Sequence, residues 1–398
     1  MVKRLHLENW KSFADATLVV QPLTVLVGTN ASGKSNIFEA FSLLKRLADG
    51  FKLEDVFKID HSSFPIRGGS SWVIRKGEKK ASISVFLQDP RDKNQELKYQ
   101  LWFATNTAGH FEIVHEGLFV LNKAGEILDD ILGSGTLAEA MQEPKVIILD
   151  VAFLSVAQSI LREESAKNLT NYALQQLKNI AFVSPVPLAM RGYVSIGDAL
   201  EVDASNVAGV LISQMARDNS TIAERLNRYV RILPDFDLKK IYAEAIKPLE
   251  KDAMLFGIEK TGVDPAREYV VDARTMSDGT LHFIGIVAAL LTVPTGNLLI
   301  MEEINQGLHP SRAKDLIKII TDIIVERKID VMFSTHDPAI LDAIGIDFSE
   351  NIQVVSRNEV GVSEVKVLRD FKMFGKLIGR GSLGTLSTRG ELAKAIFQ

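Results

Sequence analysis

Cysteine is absent from all 398 residues. That excludes disulfides, thiolate nucleophiles and cysteine-ligated zinc, and it accords with a reducing cytoplasm. An excess of one charge is missing too: 46 Lys and Arg stand against 50 Asp and Glu, a formal net charge of −4. No global basic field therefore advertises nucleic acid. Residues 1–9 alternate charged and apolar side chains and lack the apolar core of a secretion signal. The longest nearly apolar run, residues 281–293, is too short for a bilayer and is interrupted by His282, so it reads as a buried helix. Repeats and low-complexity tracts do not stand out. The expected location is the cytoplasm, with no membrane contact. What is present is a chain 46% hydrophobic and 24% charged, enough for one large domain or two.

One segment carries the most information. The apolar run 23–27 breaks into Gly28, Thr29, Asn30, Ala31, Ser32, Gly33, Lys34 and Ser35. Asn36 and a helical pattern (Ile37, Phe38, Ala40, Phe41, Leu44) follow at once. Strand, glycine-rich turn and helix are the context a P-loop requires. Gly28 and Gly33 permit backbone conformations and close approaches that a Cβ would block. The loop N–H groups then converge on phosphate oxygens at a helix N-terminus. Lys34 reaches the β- and γ-phosphates, and the Ser35 hydroxyl ligates Mg²⁺.

A second constellation ends the apolar run 297–301 with Glu302 and Glu303. The carboxyl edge of a parallel sheet is where ligands bind in this architecture. Glu302 is assigned to Mg²⁺ and Glu303 to the attacking water. The bland alternative is a strand ending in solvated acids; the P-loop in the same chain favours the functional reading. His336 lies just past another apolar strand and is assigned a hydrogen bond to the γ-phosphate or the lytic water, against a satisfied surface histidine. Ser277, Asp278 and Gly279 open the apolar helix, where a hydroxyl and N–H groups can hold an anion. An ordinary N-cap is the alternative there.

The coarse pattern predicts strands at 2–7, 16–20 and 23–27 and a helix at 35–48. A β-meander follows at 72–75, 82–87, 97–104, 111–115 and 118–121, and 146–149 reads as one more strand. Helices are expected at 152–161, 169–180, 207–216 and 221–230, with a break at Pro185 and Pro187, and a strand at 253–259. Next come a helix (280–291), a strand (297–301), a helix (311–327), a strand (331–334), a helix (338–343) and strands at 352–355 and 364–367. Buried strands alternating with helices imply a parallel sheet covered on both faces.

With these elements in this order, the chain resembles an ABC-type ATPase of the SMC/RecF/OLD group. Residues 28–35 match Walker A, and 276–280 resemble the signature loop. Glu302 and Glu303 resemble Walker B with its catalytic glutamate. Residues 305–310 resemble the D-loop region, and His336 the switch histidine. The fold class implied is α/β, a P-loop ATPase head with an N-terminal antiparallel meander and a helical insertion. Its head would comprise 1–150 and 253–398, and its arm 151–252. The resemblance implies ATP and Mg²⁺ as cofactors and a homodimer or higher oligomer closed around ATP. Ser277, Asp278 and Gly279 of one protomer would meet the phosphates held by Lys34 of the other. Adenine is implied over guanine, since Asn122-Lys123-Ala124-Gly125 fails at the acid of a guanine reader.

Subclass follows from smaller features. Asn30, Ser32 and Asn36, the Glu-Glu pair and Leu308-His309-Pro310 are similar to the SMC/OLD group rather than to transporter ATPases. Residues 36–276 are too few for a long heptad arm, and the stretch after His336 leaves no room for a Toprim nuclease domain. The chain therefore resembles stand-alone OLD-like ATPases of anti-phage systems of the Septu, PARIS or retron-associated type. In that role a slow ATPase would sense for or restrain a separately encoded effector. The alternatives are a RecF/SMC-like DNA-repair or tethering ATPase, and a nucleotide-gated scaffold with little turnover. The basic tail (Lys366, Arg369, Lys372, Lys376, Arg380, Arg389, Lys394 against Asp370 and Glu391) is a candidate nucleic-acid contact or a solvated helix.

Overall fold

Five apolar or β-branched residues make Leu23–Val27 a strand buried along its whole length, as a strand covered on both faces requires. In the computed structural model, which describes residues 1–58, 61–105, 111–132, 152, 154–155, 161–217, 221–232, 238–246, 252–261 and 267–397, contacts divide the chain into two units. The first is Met1–Ile180 with Ser349–Arg380 and Arg389–Gln398, the second Ala181–Phe348 with Gly381–Thr388.

In the first unit Leu23–Val27 pairs in parallel with Ile352–Arg357, which pairs antiparallel with Ser363–Val367. The sheet continues through Phe13–Val19, Val2–Trp10, Lys80–Gln88, Glu96–Thr105 and Phe111–Leu121 to Ile127–Asp130. The meander shows the period of two expected of a half-buried strand: Leu97, Tyr99, Leu101 and Phe103 are all buried. Trp10 is fully buried and meets Phe103 edge to face at 5.9 Å. The helix Lys34–Ala48 packs into the same core with Ile37, Phe38, Phe41 and Leu44. Its Arg46 is fully buried, donating to Ser63 Oγ (2.7 Å) and to the carbonyls of Val56 and Lys58 (both 2.6 Å). A buried guanidinium satisfied this way ties the following loop down onto the helix.

In the second unit Leu298–Met301 lies between Asp330–Thr335 and Ala181–Val183, all parallel. The helices Asp278–Thr292, Ala313–Arg327 and Pro338–Ile344 belong with it. A four-stranded antiparallel sheet of Leu238–Ala245, Asp252–Thr261, Arg267–Asp272 and Val194–Ser195 packs with the helices Val207–Arg217 and Thr221–Val230.

Several expectations change. Residues 72–75 are not a strand: the left-handed Gly68 and Gly69 start a turn, Ser70–Trp72 is a short 3₁₀ helix, and only Ile74 bridges to Trp10. The runs 111–115 and 118–121 form one strand, Phe111–Leu121. Gly117 sits inside it because the Phe119 ring fills the space a Cβ would take. The stretch read as helical also contains Ala181–Val183, Val194–Ser195 and Leu238–Ala245. The first two are only three and two residues long and depend on distant partners rather than on their own pattern. The strand at 146–149 lies outside the described residues, as does most of the helix at 152–161. Among the described residues no helix is long and apolar enough to cross a membrane.

Candidate active site

The glycine loop begins where Leu23–Val27 runs out. A Cβ on Gly28 would collide with the Val355 carbonyl oxygen and come 2.7 Å from Ser32 Oγ. Thr29 and Asn30 follow, and Ala31 takes left-handed backbone at φ 63°. The Ser32 N–H donates to the Thr29 carbonyl at 3.2 Å. Gly33, at φ 117°, caps the helix without a side chain, and the first helical turn carries no acid. A Cβ there would lie 2.8 Å from Ser363 Oγ. The dipole and N–H groups of this helix start thus face no carboxylate from the loop itself, as an anion site requires. Lys34 is buried, and its ammonium donates to the carbonyls of Gly28 (2.7 Å) and Thr29 (3.0 Å). The cation lies folded across its own loop. Ser35 and Asn36 complete the first turn.

Three residues that motif reading passed over support this loop. The Asn36 amide donates to Ser12 Oγ at 2.8 Å, and the Trp10 indole donates to the Asn36 carbonyl at 2.7 Å. Ser363 Oγ donates to the Ser32 carbonyl at 2.6 Å and lies 2.8 Å from Ser12 Oγ. Pairing of Ser363 with Phe13 is what brings the far end of the chain here. No local pattern could have shown it.

The second unit holds the other predicted residues. Leu298–Met301 is buried throughout and ends at Glu302, whose N–H donates to the Val183 carbonyl at 3.4 Å. Glu303 adopts left-handed backbone at φ 51°, with its N–H on Ser334 Oγ at 3.4 Å. Its Oε2 lies 2.8 Å from His336 Nδ1, close enough for an ion pair but without the alignment of a hydrogen bond. His336 is half exposed at the end of Asp330–Thr335. Asp337 fixes the turn after it by capping Pro338–Ile344 through the Ala339 N–H at 2.7 Å. The fold thus brings Glu303 and His336 together from the ends of two adjacent parallel strands.

Ser277 is the N-cap of Asp278–Thr292, accepting from the Thr280 N–H at 3.1 Å. The ordinary capping role is therefore present. Gly279 has a further reason to be glycine: a Cβ would strike the Gly307 carbonyl oxygen, so the loops 276–280 and 305–310 touch backbone to backbone. Arg191, from the proline-broken segment, was not foreseen. Its guanidinium donates to the Ala273 (3.0 Å) and Arg274 (2.7 Å) carbonyls and to Asp278 Oδ1 (2.6 Å). A planar five-donor fork suits such a three-point clamp.

The basic tail is not a single solvated helix. It forms Phe374–Ile378, Leu383–Thr388 and Glu391–Ala395, with Leu383, Leu386, Leu392 and Ile396 buried. Arg369 pairs with Glu350 and Arg380 with Glu391, so part of its charge is already compensated.

Comparison with known families and structures fits this arrangement. Residues 1–132, which include the glycine loop, match a family model described as an AAA ATPase domain. Residues 199–342, which include Ser277, Glu302, Glu303 and His336, match one described as AAA domain, putative AbiEii toxin, Type IV TA system. A search of curated proteins finds no match. Among solved structures the chain is similar to an SMC head bound to the C-terminal winged-helix domain of ScpA. Identity is 13%, TM-score 0.53, with 92% of this chain and 96% of that one covered. It is also similar to the SMC head domain from Thermotoga maritima, at 13% identity and TM-score 0.44 over 92% and 98% of the two chains. A third is the Pyrococcus furiosus Smc head with an extended coiled coil, bound to the C-terminal domain of ScpA. It has 13% identity and TM-score 0.48 over 95% and 99%. The first likeness is one of fold: the mixed α/β architecture with a large sheet is that of an SMC-type P-loop head.

Proposed function

We propose that this chain is an ABC-type ATPase that binds ATP with Mg²⁺, dimerises around it, and couples slow hydrolysis to sensing for or restraining a separately encoded effector in anti-phage defence. The observation that carries the ATPase part is the buried Lys34 ammonium folded across a glycine loop at an uncapped helix start. Phosphate oxygens would replace the Gly28 and Thr29 carbonyls as its acceptors, at little cost in reorganisation. Gly28 and Gly33 fit that role because a side chain at either would fill the cradle. Thr29, Asn30, Ala31, Ser32 and Asn36 complete the loop around the phosphates.

Ser35 and Glu302 would hold Mg²⁺, which supplies charge neutralisation at the phosphates. Among the described residues no three His, Asp or Glu side chains form a cage of their own. One carboxylate, one hydroxyl and the nucleotide would share the cation. Glu303 would orient the attacking water and His336 would donate to the γ-phosphate. Ser277, Asp278 and Gly279 would act in trans, on nucleotide held by a second copy. Residues 1–150 and 253–398 would form the head and 151–252 an arm suited to assembly. The description of the model matched by residues 199–342, with its toxin–antitoxin wording, supports the effector-linked reading over a purely structural one.

The first test is equilibrium binding of labelled ATP to wild type and Lys34→Ala. Affinity at the glycine loop should fall about a hundredfold or more in the variant, as loss of a charge-assisted phosphate contact dictates. Unchanged affinity would refute the P-loop assignment. Purification from a native source tests the effector: a stoichiometric partner held through high salt is expected, and nucleic acid lost steeply with salt would favour the DNA-tethering alternative.

A further inference from the structure

A cavity of about 600 Å³ opens in the second unit, and none of the residues that line it is used above. Met215 of Val207–Arg217 closes one side, and the polar walls come from two elements with simple periods. Glu224, Asn227, Arg228 and Arg231 stand at i, i+3, i+4 and i+7, one face of Thr221–Val230 and the residue after it. Lys240 and Tyr242 are two apart on Leu238–Ala245 and share a face of that strand.

Asn227 locks helix to strand. It is buried, donates to the Ile241 (2.8 Å) and Ala223 (2.7 Å) carbonyls, and accepts the Ile241 N–H at 2.6 Å. Arg231 Nε donates to the Lys239 carbonyl at 3.1 Å. The helix thereby occupies backbone groups that an edge strand would otherwise leave open. The walls are preorganised, which lowers the cost of binding.

The charge is uneven. Arg228, Arg231 and Lys240 are exposed, and among the described residues none of them has a carboxylate partner. Their neighbours differ: Arg225 pairs with Glu326 at 2.7 Å and Lys239 with Glu268. Glu224 is the acid in the lining. Three cations against one acid in the lining stand out in a chain of net charge −4. Tyr242 adds an aromatic surface. Its ring is stacked on Phe256 with centroids 5.7 Å apart and 21° between planes, and Lys240 Nζ lies 5.6 Å from its centroid. Cations for phosphates, a held ring for a base, and a carboxylate for an amino or ribose hydroxyl group meet in a volume of nucleotide size.

We infer that this cavity is a second nucleotide site, taking a free nucleoside di- or triphosphate. Arg228, Arg231 and Lys240 bind the phosphates and Tyr242 lies beside the base. None of the residues lining it belongs to the glycine loop, so the two sites can be emptied separately.

The test titrates full-length Lys34→Ala protein with fluorescent ADP, inorganic tripolyphosphate and a thymidine oligonucleotide. ADP should still bind, and adding Arg228→Ala with Arg231→Ala should weaken it about tenfold or more. Tyr242→Ala should weaken ADP several-fold and leave tripolyphosphate unchanged. Lys240→Gln, on the strand, should reproduce the loss if the helix variants fail to fold. Three results overturn the proposal. One is no ADP binding by Lys34→Ala. Another is tripolyphosphate binding as tightly as ADP with Tyr242→Ala silent. The third is Arg228-dependent oligonucleotide binding without ADP binding. Failure of the P-loop reading would look different: wild type and Lys34→Ala would bind ADP in equal amounts.

Discussion

Glu303 holds a left-handed backbone at φ 51°, a conformation that costs a non-glycine side chain about 1–3 kcal/mol. It persists because its own groups are engaged: the N–H on Ser334 Oγ at 3.4 Å and the carbonyl on the Gln306 N–H at 3.1 Å. The acids were legible as a strand end, but this aim of the carboxylate at His336 was not. Arg191 is the clearer omission, since an arginine beside a proline break carries no motif. We expect Arg191→Ala to lower kcat about tenfold, the worth of one charge-assisted bond. ATP affinity at the Lys34 loop should stay unchanged, and Arg191→Lys should recover only part of the rate. An equal loss in ATP affinity would mean that Arg191 supports the fold rather than the signature loop. Gly279→Ala makes a second test at this scale. The added methyl meets the Gly307 carbonyl oxygen, so ATPase activity should fall at least as far as for Arg191→Ala while the glycine loop still binds nucleotide.

Among the elements, Asp278–Thr292 behaves as the run 281–293 predicts, buried on nearly every side. The sequence shows His282 only as an interruption. In the fold its ring is buried, neither nitrogen has a hydrogen-bond partner among the described residues, and burial lowers its pKa from 6.5 to about 4. The folded ring stays neutral while the unfolded ring takes a proton near pH 6.5. This contribution to stability is therefore complete above pH 6.5 and is lost as pH falls toward 4. Chemical denaturation should show a loss of about 2 kcal/mol from this group between pH 7 and pH 5. His282→Phe should flatten that slope; a slope unchanged in the variant would assign it elsewhere. The meander strands were legible because alternation is local. The short strands Ala181–Val183 and Val194–Ser195 were not, since nothing in two or three residues outweighs a helical neighbourhood.

For the whole molecule the consequential claim is assembly around nucleotide. Glu303→Gln should bind ATP without hydrolysing it and convert from monomer to dimer in light scattering when ATP and Mg²⁺ are added. Ser277→Arg in that background should bind ATP and remain monomeric, because a bulky cation at the cap blocks the facing loop. A Glu303→Gln protein that stays monomeric with ATP would end the trans-acting reading of Ser277 and Gly279. Ligand-driven association needs contacts that exist only in the paired state, and those loops are the candidates for them.

The sequence alone determined the glycine loop, the acidic strand end, the histidine after the next strand and the α/β class. Each rests on local chemistry: a turn that needs glycine, a period of two or 3.6, or an acid placed where a strand stops. Tertiary structure alone decided that Ser363 and Ser12 brace Ser32 and Asn36, that Arg191 clamps the loop at Ser277, and that Gly279 abuts Gly307. It also decided that Arg228, Arg231 and Lys240 share a cavity with Tyr242. The physical reason is the same throughout. A side chain's chemistry is written in its own residue type, but its partner is chosen by strand pairing and packing between segments far apart in the chain.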